Sequence, residues 1–314
     1  MADKLSILVT GGAGYLGSIM VPELLAEGHR VTVFDNFMYK QNSLAAVCSH
    51  PDFAVVHGDA RNEPLVKDVV KSADVIIPLA ALVGAPLCDK DPVGATTLNR
   101  DGQIMLLKAL SKDQRILMPI TNSGYGVGEA GKFCTEESPL RPVSLYGRHK
   151  VEIEKVALDR GNTISFRLAT VFGMAPRMRI DLLVNDFVYR AVYDRAVILF
   201  EPHFKRNYIH VRDVARAFLH GLKNFEDMKD EPYNVGLSDA NISKWELCEK
   251  IKEHVPEFAY QEAPIGEDPD KRDYIVSNEK IESTGFKPAY SLDMGIQELI
   301  KGYAMIRNSV YGNM

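Results

Sequence analysis

Tyr146 and Lys150 are the two side chains of this sequence whose types and spacing point most directly to chemistry. A spacing of four residues places both on one face of a helix, one turn apart. A phenol that has lost its proton is a general base, and a neighbouring ammonium stabilises the phenolate. An idle surface pair has the same spacing, because Tyr-x-x-x-Lys is common by chance. The position of the pair, after the fifth strand of a predicted nucleotide-binding sheet, favours the catalytic role.

A glycine-rich segment follows the first apolar run, Leu5–Thr10, and precedes a helical pattern. Its glycines at 11, 14 and 17 predict a tight turn, a close approach of the backbone to a pyrophosphate, and close packing of helix on strand. The amides and the dipole at the helix N-terminus favour phosphate binding there. Alone the motif is weak, since glycine-rich turns also serve plain geometry. Its place at the first strand–helix junction favours dinucleotide binding.

Acidic residues after the next two strands extend the predicted cofactor site. Asp35 ends the second apolar run, where a carboxylate binds the adenosine ribose hydroxyls and would repel a 2′-phosphate. The sequence therefore favours NAD over NADP. Asp59 follows the third run and is a candidate contact for the adenine amino group. Each acid has the alternative of a simple turn or cap residue.

For Tyr146 to act as a base near neutral pH, nearby positive charge must lower its pKa substantially. An ordinary tyrosine has a pKa of about 10, so a base for neutral pH needs a drop of about three units, roughly 4 kcal/mol. One cation about 4–5 Å away, at an effective dielectric of about 20, supplies about 3–4 kcal/mol. Lys150 alone is marginal, whereas Lys150 with the positive nicotinamide of NAD⁺ is sufficient. Tyr146 is thus predicted to take a hydroxyl proton while hydride leaves the same carbon.

Two further candidates lie upstream, in the segment Pro119–Gly126. Thr121 falls at the end of a predicted strand, and strand ends of open α/β sheets are where ligands bind. Its hydroxyl is a candidate partner of the same substrate hydroxyl, and the alternative is a strand-end threonine bonded to backbone. Tyr125 is an even choice between substrate contact and packing.

Short apolar runs alternate with helical patterns as far as about Leu168. Their apolar residues are consecutive, as in strands covered on both faces. This alternation predicts an α/β fold, a Rossmann-type doubly wound parallel sheet. The predicted strands are Leu5–Thr10, Arg30–Asp35, Phe53–His57, Asp74–Pro78, Gln114–Pro119 and Thr163–Leu168, and the predicted helices are Tyr15–Glu27, Glu63–Lys71, Pro92–Leu110 and Ser144–Asp159.

The rhythm changes after Gly173, where helical segments are joined by long polar stretches. We predict an NAD-binding domain over residues 1–173 and a smaller α/β substrate lobe over 174–314, with some strands returning to the first domain. Ser243 and Glu246 form a capping-box pattern, and Gly266–Asp273 is predicted to be a loop. The predicted helices of this part are Ile180–Tyr193, Val211–Lys223, Ser243–His254 and Leu292–Arg307.

The composition excludes several function classes. A net charge of −5 argues against a nucleic-acid or anionic-membrane partner. The four cysteines (48, 88, 134 and 248) are scattered and share no metal-ligand spacing with the eight histidines, so free thiols and no metal are expected. With no targeting or membrane-spanning pattern evident, a cytoplasmic protein is expected.

Together these motifs resemble the extended short-chain dehydrogenase/reductase family, specifically its nucleotide-sugar epimerases and dehydratases, over nearly the whole chain. The resemblance implies a triad of Thr121, Tyr146 and Lys150, and a nucleotide-diphosphate sugar as substrate. The expected cofactor contacts are Gly11, Gly14, Tyr15, Leu16, Gly17, Asp35, Asn36, Asp59, Ala60, Leu79, Ala80, Ala81, Asn99, Tyr146, Lys150 and Arg167. The expected substrate contacts are Val83, Thr121, Asn122, Ser123, Tyr125, Thr170, Arg179, Asn185, Arg206 and Arg272.

Two departures from the family pattern narrow the expected chemistry. The 4,6-dehydratases carry Asp-Glu directly after the catalytic threonine, whereas this chain has Asn122 and Ser123, which disfavours dehydration. UDP-galactose epimerases usually have an asparagine where this chain has Thr170, so the nucleotide and the sugar stay open.

Segments 82–88, 121–126 and 177–186 resemble a narrower branch, the bacterial GDP-manno-heptose C4 oxidoreductases of surface-polysaccharide pathways. That resemblance implies oxidation at C4 and tightly held NADH. The alternatives are a UDP- or GDP-sugar 4-epimerase, which returns the hydride to the opposite face, and, remotely, a non-catalytic NAD(H) sensor. The family also implies a homodimer formed by helices 92–110 and 144–159. Its apolar face would come from Leu106, Leu110, Val151 and Val156, although core burial explains these residues equally well.

Overall fold

The computed structural model describes residues 4–266 and 272–306 of the chain. Its first strands coincide with the short apolar runs of the sequence, because backbone that is buried on both faces must pair within a sheet. Within the described residues the strands are β1 (Ser6–Thr10), β2 (Arg30–Asp35), β3 (Phe53–His57), β4 (Val75–Pro78), β5 (Arg115–Thr121), β6 (Phe133–Cys134), β7 (Thr163–Leu168), β8 (Thr170–Phe172), β9 (Ala196–Leu199), β10 (Lys205–His210), β11 (Glu231–Val235), β12 (Asn241–Ser243), β13 (Ala259–Glu262) and β14 (Ile275–Val276).

Seven of these strands form one parallel sheet in the order β11-β7-β5-β4-β1-β2-β3. From β1 the chain builds one way through β2 and β3, and the other way through β4, β5, β7 and β11. This reversal beside β1 is the switch point at which open α/β sheets bind ligands. The predicted Rossmann-type doubly wound parallel sheet is confirmed. Only β3 departs from double-sided burial among the six predicted strands, because it is the edge strand.

Helices cover the sheet and carry the crossovers between strands. The predicted helices begin and end within a few residues of their predicted bounds, except that Arg307, the predicted end of the last one, lies outside the described residues. Short helices over residues 85–90, 225–228 and 279–283 had no predicted counterpart. The predicted Ser243–Glu246 capping box is confirmed. In the described residues the α-helices are α1 (Gly17–Ala26), α2 (Glu63–Val69), α3 (Ala85–Lys90), α4 (Pro92–Thr96), α5 (Gln103–Ala109), α6 (Leu145–Arg160), α7 (Leu183–Tyr193), α8 (Val211–Lys223), α9 (Phe225–Met228), α10 (Lys244–His254), α11 (Glu279–Ser283) and α12 (Leu292–Tyr303).

The single helix predicted over residues 92–110 is interrupted in its middle. A π-helical turn over Thr97–Gly102 separates α4 from α5. Asn99 lies in this turn, is 1% exposed, and bonds through its side chain to the backbone of Leu82. Widened turns of this kind are frequent at functional sites, and this one aims a polar side chain at the loop after β4.

The C-terminal part of the chain is joined to the first part by a shared core. Strand β11 pairs with β7 in the central sheet, while β8, β10 and β12 form a smaller sheet. One apolar cluster contains Met20 and Leu24 of α1 together with Phe172 and Ile296. The division at residue 173 stays a prediction, and any boundary there crosses a continuous core. Among the described residues, no helix combines the length and apolarity needed to cross a membrane.

The structure bears only in part on the predicted dimer interface and on the predicted loop over Gly266–Asp273. Leu106 is 2% exposed and packs beneath the sheet with Leu8 and Phe34, so it belongs to the core of a single chain and offers nothing to a partner. The homodimer itself stays a prediction. Most of the predicted loop over Gly266–Asp273, namely residues 267–271, lies outside the described residues.

Candidate active site

A cavity lies at the carboxyl ends of the central strands, next to the switch point. Most residues that the sequence assigned to cofactor or substrate line its walls, although they come from distant parts of the chain. These lining residues are Gly11, Gly14, Tyr15, Leu16, Gly17, Asp35, Asn36, Ala60, Leu79, Ala80, Ala81, Val83, Thr121, Ser123, Tyr146, Lys150, Thr170, Arg179 and Arg272.

The glycine-rich loop forms one wall of the cavity. Gly11 has φ +66°, and a Cβ there would lie 2.6 Å from the Ala80 amide nitrogen. A Cβ on Gly17 would lie 2.2 Å from the Gly12 carbonyl oxygen, so only glycine lets α1 begin so close to the turn. A Cβ on Gly14 would lie 3.1 Å from the Gly11 carbonyl oxygen and would have no other neighbour within 4 Å among the described residues. This geometry fits the backbone cradle that a dinucleotide diphosphate requires at a helix N-terminus.

Asp35 joins the glycine loop to the loop after β2. Its Oδ2 accepts a hydrogen bond from the Ala13 amide at 3.0 Å, and its Oδ1 accepts one from the Phe37 amide at 2.8 Å. Burial raises the pKa of this carboxyl, while the two amide bonds oppose the shift. A carboxylate has about four acceptor positions, so Asp35 keeps capacity for ribose hydroxyls.

Asp59 faces a different partner. Its carboxylate binds the Arg61 guanidinium, with an oxygen–nitrogen distance of 2.5 Å, and this pair holds the pKa of the acid below its usual range. The neighbours Gly58 and Ala60 line the cavity, and Asp59 does not. An adenine contact by Asp59 therefore stays a prediction. The geometry favours its neighbours Gly58 and Ala60 for a contact with a ligand in the cavity.

The cavity wall formed by residues 79–82 is held from behind. The Asn99 side chain accepts from the Leu82 amide and donates to the Leu82 carbonyl, both at 2.8 Å. Gln103 donates to the Ala80 carbonyl at 2.9 Å. Asn99 itself does not line the cavity. It fixes the backbone that the sequence expected to line the cofactor ribose.

Helix α6 positions the tyrosine–lysine pair. Ser144 caps its N-terminus by accepting from the Gly147 amide at 3.1 Å. The cap places Tyr146 in the first turn and Lys150 one turn later on the same face, and both line the cavity. The Lys150 Nζ donates to the Pro119 carbonyl at 2.7 Å, which ties the helix to the end of β5.

Thr121 reaches the same cavity from the end of β5. Its hydroxyl donates to the Ser123 Oγ at 2.9 Å and accepts from the Ser123 amide at 3.1 Å. The Arg272 guanidinium donates to the same Ser123 Oγ. A chain of hydrogen bonds therefore links a cation to the threonine of the predicted triad through Ser123.

The two members of the pair have opposite pKa shifts, and burial causes both. Burial raises the pKa of Tyr146 to about 12, although the charges of Arg179 and Arg272 lower it. Burial lowers the pKa of Lys150 to about 8. The protein alone therefore holds the phenol protonated at neutral pH, and further positive charge must come from bound groups for the phenol to act as a base.

The buried ammonium predicts a pH-dependent stability. The Lys150 pKa of about 8 in the folded protein lies below its ordinary 10.5, so the unfolded chain binds more protons between these values. We expect the unfolding free energy of the wild type, relative to Lys150→Met, to rise between pH 8 and 10.5 by at most about 1.4 kcal/mol per pH unit. Below pH 8 the difference is expected to be constant.

Urea unfolding of both proteins across this pH range measures the effect. Lys155→Met, at an exposed position of the same helix, controls for the change of side chain. A difference between wild type and Lys150→Met that does not vary with pH would contradict the buried-ammonium argument.

A comparison with known proteins decides the family. Residues 7–236 match the family described as "NAD dependent epimerase/dehydratase family". The chain belongs to this family. The extended short-chain dehydrogenase/reductase resemblance stated from the motifs is confirmed.

The relatives match nearly the whole chain. The low-salt glycan biosynthesis protein Agl12 of Haloferax volcanii is 30% identical, over 95% of this chain and 98% of the relative. A putative UDP-glucose 4-epimerase of Methanocaldococcus jannaschii is 29% identical, over 94% and 97%. The crystal structure of dTDP-glucose 4,6-dehydratase from Bacillus anthracis in complex with NAD has a TM-score of 0.81 and 25% identity, over 98% of both chains. The cofactor of this epimerase/dehydratase family member is NAD, and the narrower GDP-manno-heptose resemblance stays a prediction.

Two residues that the sequence assigned to ligands lie in a buried network outside the cavity of this family member. Arg167 donates to both oxygens of Glu154, to the Tyr125 hydroxyl at 3.0 Å and to the Glu136 carbonyl at 3.0 Å. The Tyr125 hydroxyl donates in turn to Asn234 at 2.7 Å. For Tyr125, the geometry favours packing over substrate contact.

Three residues predicted to contact the substrate, Asn185, Arg206 and Asn122, do not line the cavity either. Asn185 is fully buried, accepts from the Gly173 amide at 3.0 Å and donates to the Arg179 carbonyl at 2.8 Å, so it fixes the segment that carries Arg179. Arg206 lies with its guanidinium 5.7 Å from the centre of the Tyr274 ring, which lines the cavity. Asn122 is 1% exposed, and neither polar atom of its side chain has a partner among the described residues.

The sequence analysis missed several residues that line the cavity. Ser144 carried a detectable signal, since a serine before a helix is a common N-cap. Gly84, Ala85, Arg177 and Leu182 lie in segments 82–88 and 177–186, whose resemblance to a narrower branch assigned them no contact. The others gave no motif signal, because their place in the cavity depends on tertiary packing. The missed lining residues include Met38, Tyr39, Gln41, Gly84, Ala85, Leu98, Ser144, Arg177, Leu182 and Tyr274.

Proposed function

We propose that this protein uses NAD to oxidise C4 of a nucleotide-activated sugar, of the GDP-heptose type, with Tyr146 as the base. The observation that carries the proposal is that Thr121, Tyr146 and Lys150 line the same cavity as the glycine loop and Asp35. A single cavity thus holds a dinucleotide cradle and an acid–base pair, which is the combination that alcohol oxidation requires.

The side chains divide the work between proton removal and orientation. NAD, when bound, supplies the acceptor for the hydride that leaves C4. Tyr146 removes the hydroxyl proton, and Thr121 orients that hydroxyl with its own. Lys150, fixed on the Pro119 carbonyl, stabilises the phenolate. Arg179 and Arg272 add positive charge at the tyrosine, so a bound substrate that reorients them also changes the strength of the base.

The residues after Thr121 argue against elimination of water. A 4,6-dehydration requires a carboxyl group to act on the leaving hydroxyl and the neighbouring proton, and this chain has Asn122 and Ser123 there. Ser123 is also occupied, since it accepts from Arg272 and Thr121. We infer that the reaction stops at the 4-keto sugar. The 4-epimerase is the second candidate, because the same triad serves both and a relative carries that name.

A two-step experiment tests the proposed function. Thermal-shift screening of GDP-, UDP-, dTDP- and CDP-sugars identifies the nucleotide, since a ligand at a hundred times its Kd adds about 2.7 kcal/mol of stability. Incubation of the best ligand with enzyme and NAD⁺ then separates the outcomes. A 4-keto product with formation of NADH supports the dehydrogenase, and inversion at C4 without net NADH supports the epimerase. A protein that binds NAD and leaves every sugar unchanged would match the sensor alternative.

The charge of Arg272 makes a further prediction about the pH profile. Because this charge lowers the pKa of Tyr146, Arg272→Gln is expected to move the rising limb of kcat/KM to higher pH. The sign follows from the base mechanism, since the rate rises as the phenol loses its proton. Ser123→Ala, which removes the hydroxyl bonded to Arg272 and keeps the charge, is the matched control. A limb that stays in place in Arg272→Gln would show that the arginine acts only in binding.

A further inference from the structure

Arg179 and Asp181 form an ion pair at the wall of the cavity. The Arg179 Nη2 lies 2.6 Å from the Asp181 Oδ2, and the two side chains are 10% and 15% exposed. Arg179 lines the cavity, whereas Asp181 does not. The carboxylate therefore contacts the guanidinium from behind the wall, and no motif assigned this acid a role.

The Arg179 side chain also reaches the loop after β4. Its Nη2 donates to the Val83 carbonyl at 3.5 Å and would lie 3.9 Å from a Cβ on Gly84. Among the described residues, its hydrogen bonds involve Nε and Nη2. A guanidinium has five N–H donors, so the Nη1 edge of Arg179 is available to a ligand in the cavity.

The charges around the pair place it in reach of the base. Burial raises the pKa of Tyr146, and the charge of Arg179 lowers it. Burial lowers the pKa of Arg177, the charge of Arg179 lowers it further, and that of Asp181 opposes both. Asp181 is thus a counter-ion of two guanidinium groups that line the same cavity as Tyr146.

A diphosphate presents a different charge to this pair when it is free than when it is esterified to a sugar. In a nucleotide sugar both phosphates are diesters, and each has one negative charge. In a free nucleoside diphosphate the terminal phosphate is a monoester and carries about −1.5 to −2 near neutral pH. The added charge lies where the sugar would begin, which is the end of the diphosphate nearer to Tyr146.

We propose that Asp181 is a specificity-determining residue, which favours the esterified diphosphate of a nucleotide sugar over a free nucleoside diphosphate. Arg179 offers its donors to the phosphate next to the sugar. Asp181, behind it, offsets the positive charge that would otherwise hold the added negative charge of the free ligand. The inference rests on the proposed function, because it takes a nucleotide sugar as the substrate.

The affinities of free and esterified diphosphates measure this selectivity. UDP and UDP-glucose form one pair of probes, and GDP and GDP-mannose the other, each titrated calorimetrically into protein saturated with NADH. We expect Asp181→Asn to bind all four more tightly and to shift the affinity ratio roughly three- to tenfold toward the free diphosphate. Asparagine keeps an oxygen acceptor for Arg179 and removes only the charge, whose effect grows with the charge of the ligand.

Two matched variants separate this role from general effects. Asp181→Glu keeps the charge and is expected to keep the wild-type ratio. Asp186→Asn changes the net charge by the same amount, but this acid pairs with Arg190 on α7 and does not line the cavity. Its ratio is expected to be that of the wild type. Asp181→Ser carries the same prediction as Asp181→Asn if the asparagine variant fails to fold.

Binding alone decides the outcome, without turnover. An unchanged ratio in Asp181→Asn, an equal shift in Asp186→Asn, or no binding of any of the four probes would overturn the role of Asp181. A shifted ratio in a protein that oxidises no sugar would retain that role and remove the proposed function.

Discussion

Replacing Tyr146 with phenylalanine is expected to slow turnover about a thousandfold while NAD binding is retained. The change removes one hydroxyl, the only group of the residue able to take a proton, and general-base catalysis is worth about 10²–10⁴ in rate. The ring itself stays, and it packs against the buried cluster of Leu82, Cys88 and Ala95. Steady-state turnover, together with titration of NADH binding by fluorescence, measures the two properties separately.

Tyr125→Phe is the matched control for this prediction. Tyr125 is also a tyrosine near the end of β5, but its hydroxyl bonds to Asn234 and Arg167 behind the cavity wall. The folded Tyr125→Phe protein is expected to turn over at nearly the wild-type rate and to be less stable. An equal loss of turnover in both variants, or a Tyr146→Phe enzyme with undiminished activity, would remove Tyr146 from the mechanism.

The architecture was readable from the sequence because it depends on local pattern. Arg30–Asp35, Phe53–His57 and Thr163–Leu168 have the predicted bounds as strands, since short runs rich in β-branched and aromatic residues are typical of strands. Phe53–His57 is a strand of the predicted extent although, at the sheet edge, it is not buried on both faces. The helix over residues 92–110 was predicted as one piece because its apolar spacing is continuous. The π-helical turn in its middle accompanies a contact between Asn99 and Leu82, which periodicity does not encode.

In the candidate site, too, the residues placed by local pattern were predicted and those placed by tertiary packing were not. Gly11, Gly14, Asp35, Tyr146 and Lys150 all line the cavity, because each lies at a strand end, in the loop that follows a strand, or in the first two turns of a helix, and the topology brings these positions to one edge of the sheet. A side chain's partner across the core is a tertiary property and has no local signature.

The contact between Tyr39 and Arg177 also illustrates what local sequence pattern does not encode. Tyr39 and Arg177 are 138 positions apart in the chain, yet the Arg177 guanidinium lies 4.5 Å from the centre of the Tyr39 ring. The sequence assigned neither residue to the site. Their contact became visible only when the loop after β2 and the segment after β8 were placed together. Sequence patterns therefore locate the reactive groups better than they locate the residues that enclose them.

The sequence and the structure assign different roles to Arg167, and an experiment on stability and NAD affinity distinguishes them. The resemblance placed it among the cofactor contacts, whereas its guanidinium is 5% exposed and bonds to Glu154, which is 3% exposed. Arg167→Met preserves most of the volume and leaves the Glu154 carboxylate buried without its cation. Such a break is expected to cost about 3–5 kcal/mol of unfolding free energy, measured by urea denaturation of the protein with and without NAD.

The double variant Arg167→Met/Glu154→Gln is the control that identifies the cause. Removing the stranded charge is expected to recover much of the lost stability, because replacing both partners of a buried pair costs far less than removing one. Arg115→Met, which breaks the exposed pair with Glu226, is expected to have a much smaller effect. NAD affinity of the folded Arg167→Met protein is expected to stay close to that of the wild type. A variant that keeps its stability and loses NAD affinity would return Arg167 to the cofactor site, because an arginine whose charge mattered only to Glu154 has no means of changing that affinity.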